Sequence, residues 1–221
     1  MNNLISALEL FGFDRVSEEI SRPLVIHSVP GGGKTSLIRS LIKLDGDFEA
    51  FTAGVSDTPN LEGRYIKSYF KGCASAGKLS ILDEYLTAEN WEGFEVLFSD
   101  PYQNNKNPLV ASYVSRKTRR FGRATCEYLA GYGFEIESDI EDLVVRGSPF
   151  EVKVEGQLVC FGKAAVELAL SHGADFKLPC EVRGSTFDVV TLLKSEEPSI
   201  ENKHLFYVGC TRHKEKLLIL E

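Results

Sequence analysis

Positions 30–36 read Pro-Gly-Gly-Gly-Lys-Thr-Ser, an order suited to binding a polyphosphate. Glycines 31 to 33 let the backbone wrap so that amide N–H groups point inward. A helix beginning at Lys34 adds its positive dipole end. Lys34 would bridge the β- and γ-phosphates of a nucleoside triphosphate, and Thr35 would hold Mg²⁺. Pro30, Gly31, Gly32, Gly33 and Ser36 complete the cradle. The template G-x-x-x-x-G-K-[ST] opens with glycine, and Ser28 stands in that place here. Serine is small and adopts many of the same conformations, so the match is weakened and not lost. A plain glycine-rich strand-to-helix turn is the competing reading. The apolar run 24–29 ahead of the loop, and the stripe Leu37, Ile38, Leu41, Ile42 behind it, favour the phosphate loop.

Hydrolysis of a triphosphate needs a carboxylate in the metal shell and a group that orients the attacking water. Asp83 and Glu84 follow the apolar stretch 79–82, at the carboxyl end of a strand, where ligands gather in open α/β sheets. Asp83 would support the metal and Glu84 would polarise the water; a solvated acidic turn is the plainer alternative. Gln103 closes Ser99-Asp-Pro-Tyr-Gln103 and offers an amide of the kind that senses a γ-phosphate, but on composition alone an ordinary Asp-Pro turn is the better reading. The densest positive stretch covers 115–123 and carries Arg116, Lys117, Arg119, Arg120 and Arg123. An arginine of this run, or Arg212 near the end, would stabilise a transferring phosphoryl group, an effect worth up to about 10³–10⁵ in rate. Its neighbours would track a nucleic-acid backbone. Against this, charge runs are commonly solvated faces, and a lone arginine is commonly a surface ion pair. Gly184-Ser-Thr186-Phe-Asp188 opens a strand with hydroxyl groups suited to phosphates. His27 and Trp91 read as core residues.

The elements that must position these groups follow from apolar periodicity. It predicts helices at 4–11, from 34, from 123 to near 131 or 133, at 163–171 and at 204–213. Strands are predicted at 24–29, 49–55, 79–82, 94–98, 110–115, 187–193 and 216–220, with a hairpin over 152–161 turning at Glu155-Gly156. Strands alternating with helices predict a parallel α/β architecture with helices on both faces. The polar segment 103–108 separates two apolar strands and places a domain boundary there, giving units of 1–108 and 109–221. With 221 residues, 43% of them hydrophobic, the chain can build one large domain or two small ones. A net charge of -7 argues against a histone-like basic coat, though not against a local basic patch. Cysteines 73, 126, 160, 180 and 210 form no C-x-x-C pair and read as reduced thiols packed in the core. No leader pattern opens the sequence, and no apolar run approaches the roughly 20 residues that span a bilayer.

Taken in order, the segments resemble the motifs of the viral superfamily 1 RNA helicases. Among these they look most like the potexvirus-type movement proteins encoded first in the plant-virus triple gene block. Val29-Pro-Gly-Gly-Gly-Lys-Thr35 is similar to the first motif, in which a small residue often replaces the opening glycine. Residues 50–61 resemble the segment after the phosphate-loop helix, and Leu82-Asp-Glu-Tyr85 resembles the metal motif. Ser99-Asp-Pro-Tyr-Gln103 resembles Gly-Asp-Pro-x-Gln, and Arg120-Phe-Gly122 the arginine motif opening the second domain. Arg183-Gly-Ser-Thr-Phe-Asp188 resembles Gln-Gly-x-Thr-Phe-Asp with arginine for glutamine. Tyr207-Val-Gly-Cys-Thr-Arg-His213 resembles the final motif, with Gly-Cys where Ala-Leu is usual.

The resemblance runs from about Pro23 to the end. It implies two RecA-like parallel-sheet lobes of a compact helicase core using ATP or another NTP with Mg²⁺. Lys34, Thr35, Asp83, Glu84 and Gln103 would act from the first lobe, and Arg120 and Arg212 of the second would sense the γ-phosphate. Single-stranded viral RNA would run near Thr52 in the 50–55 segment, the Asp100 loop and Thr186, with Arg116, Lys117 and Arg119 contributing. The implied setting is the host cytoplasm and plasmodesmata, in cell-to-cell movement and suppression of RNA silencing. Implied partners are other viral movement proteins, coat protein, host silencing factors and further copies of the chain. The alternative is an RNA-coating and host-interaction module with weak, regulatory NTPase activity. A phosphate-loop kinase ranks behind both, because kinases do not need the distal Thr-Arg-His pattern.

Overall fold

The computed structural model describes residues 2–75 and 77–221. The chain divides into two compact units, Met1–Arg116 and Lys117–Glu221. The first contains α1 (Asn2–Leu10), β1 (Asp14–Arg15), β2 (Leu24–Ser28), α2 (Lys34–Leu44), β3 (Phe48–Thr52), β4 (Lys67–Ser68), β5 (Leu79–Asp83), β6 (Val96–Ser99), a 3₁₀ turn at Pro101–Gln103 and β7 (Tyr113–Ser115). The strands form one sheet in the order β1-β7-β2-β6-β5-β3-β4. All neighbours run parallel except β1 against β7. The predicted boundary at 108 falls short of the observed one because β7 pairs with β2 and completes the first sheet.

β2, β3 and β6 are buried along their whole length, the mark of parallel strands covered on both sides. Leu24 and Ile26 face a core shared with Leu4 and Leu8 of α1 and Leu37, Ile38, Leu41 and Ile42 of α2. The opposite face, with Val25, Phe51, Leu82 and Leu97, is covered by Cys73, Tyr85, Leu86, Ala88 and Phe94. None of those five residues lies in a helix, so the expectation of helices on both faces is corrected for this unit: turns do the covering.

The second unit contains β8 (Lys117–Thr118), α3 (Arg123–Ala130), β9 (Glu137–Ser138), β10 (Leu143–Gly147), β11 (Gln157–Phe161), α4 (Lys163–Ser171), a 3₁₀ turn at Pro179–Val182, β12 (Val189–Lys194), α5 (Lys203–Cys210) and β13 (Lys216–Leu220). Four strands make an all-parallel sheet, β10-β13-β12-β11, and β8 pairs with β9. α4 packs on the face carrying Leu158, Cys160, Leu193 and Leu218. α5 lies on the other face so closely that a Cβ at Gly209 would sit 2.9 Å from Leu192 Cδ1. Here helices do cover both faces.

The predicted hairpin at 152–161 is not formed. β11 pairs in parallel with β12 at the edge of the sheet instead, because Leu158–Phe161 is buried and needs cover on both faces, while 153–155 are exposed. The strand β10 was not anticipated: its exposed Leu143 and Arg146 blur the periodicity of an edge strand. Four cysteines are buried as expected, but Cys180 is exposed. Among the described residues no helix is long and apolar enough to cross a membrane.

Candidate nucleotide site

The phosphate loop is held between two packed elements, β2 and α2. Gly31 and Gly33 adopt φ of 76° and 97°, the left-handed region that side chains resist. Gly32 is required for another reason. A Cβ there would overlap the Ser28 Oγ and stand 3.3 Å from the Ser115 Oγ. Ser28 replaces the template glycine, and the glycine four residues on supplies the space it occupies. Lys34 is 8% exposed. Its Nζ donates to the Ser28 carbonyl at 2.7 Å and to the Val29 carbonyl at 3.5 Å. The site's cation is therefore stationed on the loop itself, at the first turn of α2, where the helix dipole already favours an anion.

Strand register brings the remaining first-unit candidates to the same edge. Thr52 pairs with Asp83, Asp83 with Phe98, His27 with Ser99, and Ser28 with Ser115, so the carboxyl ends of β2, β3, β5, β6 and β7 lie level. Burial pushes the Asp83 carboxyl up to about 7, and the neighbouring Glu84 adds to the push. Lys34 and the Glu84 N–H oppose it. Glu84 has φ of 56°, the single non-glycine residue at positive φ among those described. Such a conformation costs of order 1–3 kcal/mol and collects at working sites. It sets the Glu84 carboxylate within 3.5 Å of the Ser99 hydroxyl, which donates to it. Thr52 accepts from Gly54 N–H at 3.0 Å and so shapes the turn after β3. Asp100 is fully buried. It accepts from Tyr102 N–H at 3.0 Å and from the Gln103 side-chain amide at 2.8 Å, so Gln103 is aimed by its own turn. The turn reading and the site reading of this segment thus describe the same geometry.

His27 is buried in the core, as expected. The Tyr85 hydroxyl accepts from Leu109 N–H at 3.0 Å and shares a hydrogen bond with His27 Nε2, also 3.0 Å away. Burial, with Lys34 nearby, lowers the His27 pKa to about 4. The ring stays neutral and adds no charge beside Lys34.

In the second unit the two arginines converge on one residue. Arg120 Nη1 lies 3.5 Å from the Thr211 carbonyl, and Arg212 Nη2 donates to Thr211 Oγ1 at 2.9 Å. Thr211 caps the carboxyl end of α5 and donates in turn to the Tyr207 carbonyl at 2.9 Å. The negative end of a helix dipole favours cations there. The helix predicted to reach 213 stops at Cys210, freeing Thr211-Arg212-His213 to turn. His213 Nε2 lies 2.9 Å from Thr125 Oγ1 and 3.0 Å from Asp142 Oδ2, and both the His213 and Asp142 side chains are fully buried. Burial works against charge on Asp142, but hydrogen bonds from His213, Thr125 and Gly122 outweigh it and hold the carboxyl below its usual range. Sequence reasoning missed this buried trio. His213 stood inside a quoted motif, but Asp142 and Thr125 are 71 and 88 residues away, without a local signal.

The basic run is split. Arg116 ends the first unit, and Lys117 lies in β8 and is paired with Asp139. Arg119 is exposed. Thr186 is exposed in the loop before β12, one residue ahead of Phe187, whose N–H donates to the Arg212 carbonyl at 2.8 Å.

A nucleotide-shaped loop, level carboxylates on a parallel sheet and a second parallel sheet with an arginine turn define a class, the two-unit nucleotide-driven helicase core. Residues 24–221 match the viral superfamily 1 RNA helicase core domain, and the chain belongs to that family. Among solved structures, the arterivirus nonstructural protein 10 helicase in complex with DNA shares this fold at TM-score 0.57 and 16% identity, over 99% of this chain. The PRRSV helicase does so at 0.52 and 17%, also over 99%. The chain spans 57% and 50% of the length of those two proteins. Curated relatives match end to end. The movement and silencing protein TGBp1 of Apple stem pitting virus (isolate PA66) is 42% identical, covering 100% of this chain and 99% of that protein. The proteins of the same name from Poplar mosaic virus (isolate ATCC Pv275) and Papaya mosaic potexvirus are 39% and 34% identical, each covering at least 99% of this chain and 95% of the relative.

Proposed function

We propose that the chain is an RNA-stimulated NTPase of the helicase type, serving viral cell-to-cell movement and suppression of host RNA silencing; its relatives are named movement and silencing proteins. The observation that carries the enzymatic reading is the level edge of the first sheet. The phosphate loop with Lys34, the Asp83–Glu84 pair and Gln103 follow three separate strands there, β2, β5 and β6. The residues fit a Mg²⁺–nucleotide. Amides of 31–33 and Lys34 would hold phosphates, and the Thr35 hydroxyl with Asp83 would hold the ion. Mg²⁺ is ordinarily held by one or two carboxylates plus substrate phosphates. Bound there, the ion would neutralise charge developing on the phosphates. Glu84 orients the attacking water, and Gln103 is positioned by Asp100 to sense the terminal phosphate. Arg120 and Arg212 stabilise the transferring group. Thr52, Arg116, Lys117, Arg119 and Thr186 contact the RNA strand. The setting is host cytoplasm and plasmodesmata, with other viral movement proteins, coat protein, silencing factors and further copies of the chain as partners.

The test is steady-state ATP hydrolysis with and without single-stranded RNA, beside Lys34→Ala. RNA stimulation that the substitution abolishes is expected; hydrolysis equal to the Lys34→Ala control overturns the enzymatic reading. A second reading, an RNA-coating module with weak regulatory NTPase activity, draws on the chain spanning only 57% of the matched helicase. Rapid ATP-driven duplex unwinding by the monomer would count against it. RNA affinity should fall steeply with salt, as phosphate contacts require; a flat response removes them as its source.

A further inference from the structure

The segment that follows β3 is tied to α2 at two points. Arg39, on α2, donates from Nη2 to Asp57 Oδ1 at 2.5 Å and from Nε to Asp57 Oδ2 at 3.2 Å. Further on, Arg64 donates to the Lys43 carbonyl at 2.8 Å, in the last turn of the same helix. Between these ties the segment closes on itself. Asp57 N–H donates to the Ile66 carbonyl at 2.9 Å, and Ile66 N–H donates to Asp57 Oδ2 at 3.2 Å. The Arg39 hydrogen bond, helped by Ile66 N–H and against a smaller cost of burial, holds the Asp57 carboxyl below its usual range. Ile66 also packs into the core shared with Leu37, Ile38, Leu41 and Ile42 of α2. A cavity of about 270 Å³, lined by Ile42, Phe48, Ala50 and Tyr65 among others, lies along this segment. The segment is thus joined to α2 by polar ties at Asp57 and Arg64 and by packing at Ile66.

α2 begins at Lys34 and Thr35, and Arg39 stands five residues on, a rise of about 7.5 Å along one rigid helix. The turn after β3, with Thr52 and Gly54, leads directly into Asp57. We infer that the Arg39–Asp57 pair is a positioning link that makes the RNA-contacting segment after β3 move with the phosphate-loop helix, coupling nucleotide occupancy to RNA grip. This rests on the nucleotide and RNA reading above. An exposed ion pair adds little to stability, and Arg39 is half exposed, so removing it should spare the fold. A bidentate guanidinium–carboxylate fork nevertheless fixes orientation as well as distance.

The experiment compares wild type with Arg39→Ala, Asp57→Asn and the exchanged pair Arg39→Asp/Asp57→Arg. Turnover of ATP is measured with and without single-stranded RNA, after thermal melting confirms a wild-type transition. The single variants should keep the basal kcat and KM while RNA stimulation drops by about 2- to 30-fold, the range that single positions exert on coupling. The exchanged pair should recover it. Unchanged stimulation in Arg39→Ala overturns the link, as does an equal fall in basal turnover, which would make the pair a support of the phosphate loop. Failure of the exchanged pair to recover stimulation also overturns it. A wild-type protein indifferent to RNA sinks the proposed function as well, and is told apart from failure of the link alone by the wild-type measurement.

Discussion

The two units use their parallel sheets in opposite senses. In the first, the candidate residues gather at the carboxyl ends of strands, around the amino end of α2. In the second, Arg120, Thr186 and Arg212 gather at the amino ends of β12 and β13, around the carboxyl end of α5. The first arrangement supplies backbone amides, one lysine and two carboxylates, which on the proposed function would together hold an anion and its metal. The second supplies the Thr186 hydroxyl and two guanidinium groups, those of Arg120 and Arg212, which rest on Thr211 where a helix end favours positive charge. Under the proposed function, the first unit would bind the ligand and the second would act on charge that develops during the reaction.

The contrast breaks most readily at Arg212. Arg212→Ala should lower kcat by about 10³, within the range of supplied arginines, while nucleotide affinity measured by equilibrium titration stays near wild type. Equal losses in both would place the arginine in ground-state binding and erase the distinction. Lys34→Ala should cost about 10²–10³ in turnover, comparable to losing one preorganised charge contact, and should also weaken nucleotide binding; turnover alone falling would shift Lys34 to the second unit's kind of role. His213→Ala leaves Asp142 buried beside Thr125 without its partner. It should destabilise the second unit by about 3 kcal/mol in denaturant titration, with nucleotide affinity unchanged. A loss of affinity instead would tie the trio to the first unit's task.

The smallest effect is on pH. The folded Asp83 carboxyl keeps its proton up to about 7, whereas the unfolded chain releases it near the ordinary value of about 3.9. Between those limits the folded state binds more protons, so this residue costs stability as pH rises from about 4 to about 7, and the cost is level above that. Asp83→Asn should raise the Tm relative to wild type, by a margin that grows as pH rises to about 7 and then levels off. A margin that shrinks would mean the carboxylate is stabilised in the fold and the metal site is preorganised for charge.

The legible parts of the sequence were those with local chemistry. Gly31 to Thr35 announced a loop whose φ angles the structure supplies, and Asp83-Glu84 announced the end of a strand. β2 and β5 were readable because double burial leaves mainly apolar runs, Leu24–Ile26 in β2 and Ile81–Leu82 in β5. What could not be read depends on partners distant in the chain. β11 resembled half of a hairpin until its parallel neighbour, about 30 residues on, claimed it. β7 looked like part of the second unit because nothing local says that it pairs with β2. The Asp142–His213–Thr125 contact has no sequence period at all. Glu84's left-handed backbone was equally invisible, since the residue type argues against it.

Gly209 shows how a small loss can be converted into precision. Glycine inside a helix gives up about 1 kcal/mol relative to alanine, and α5 accepts that weakness in its second-last position. In return the helix axis rests one methyl group closer to Leu192 than any other residue would permit. Thr211, and the two guanidinium groups docked on it, inherit that spacing. The reach of the arginines is thus calibrated two residues upstream by the thinnest spacer the genetic code provides, and thickening it by one carbon is the finest adjustment of that reach available to mutation.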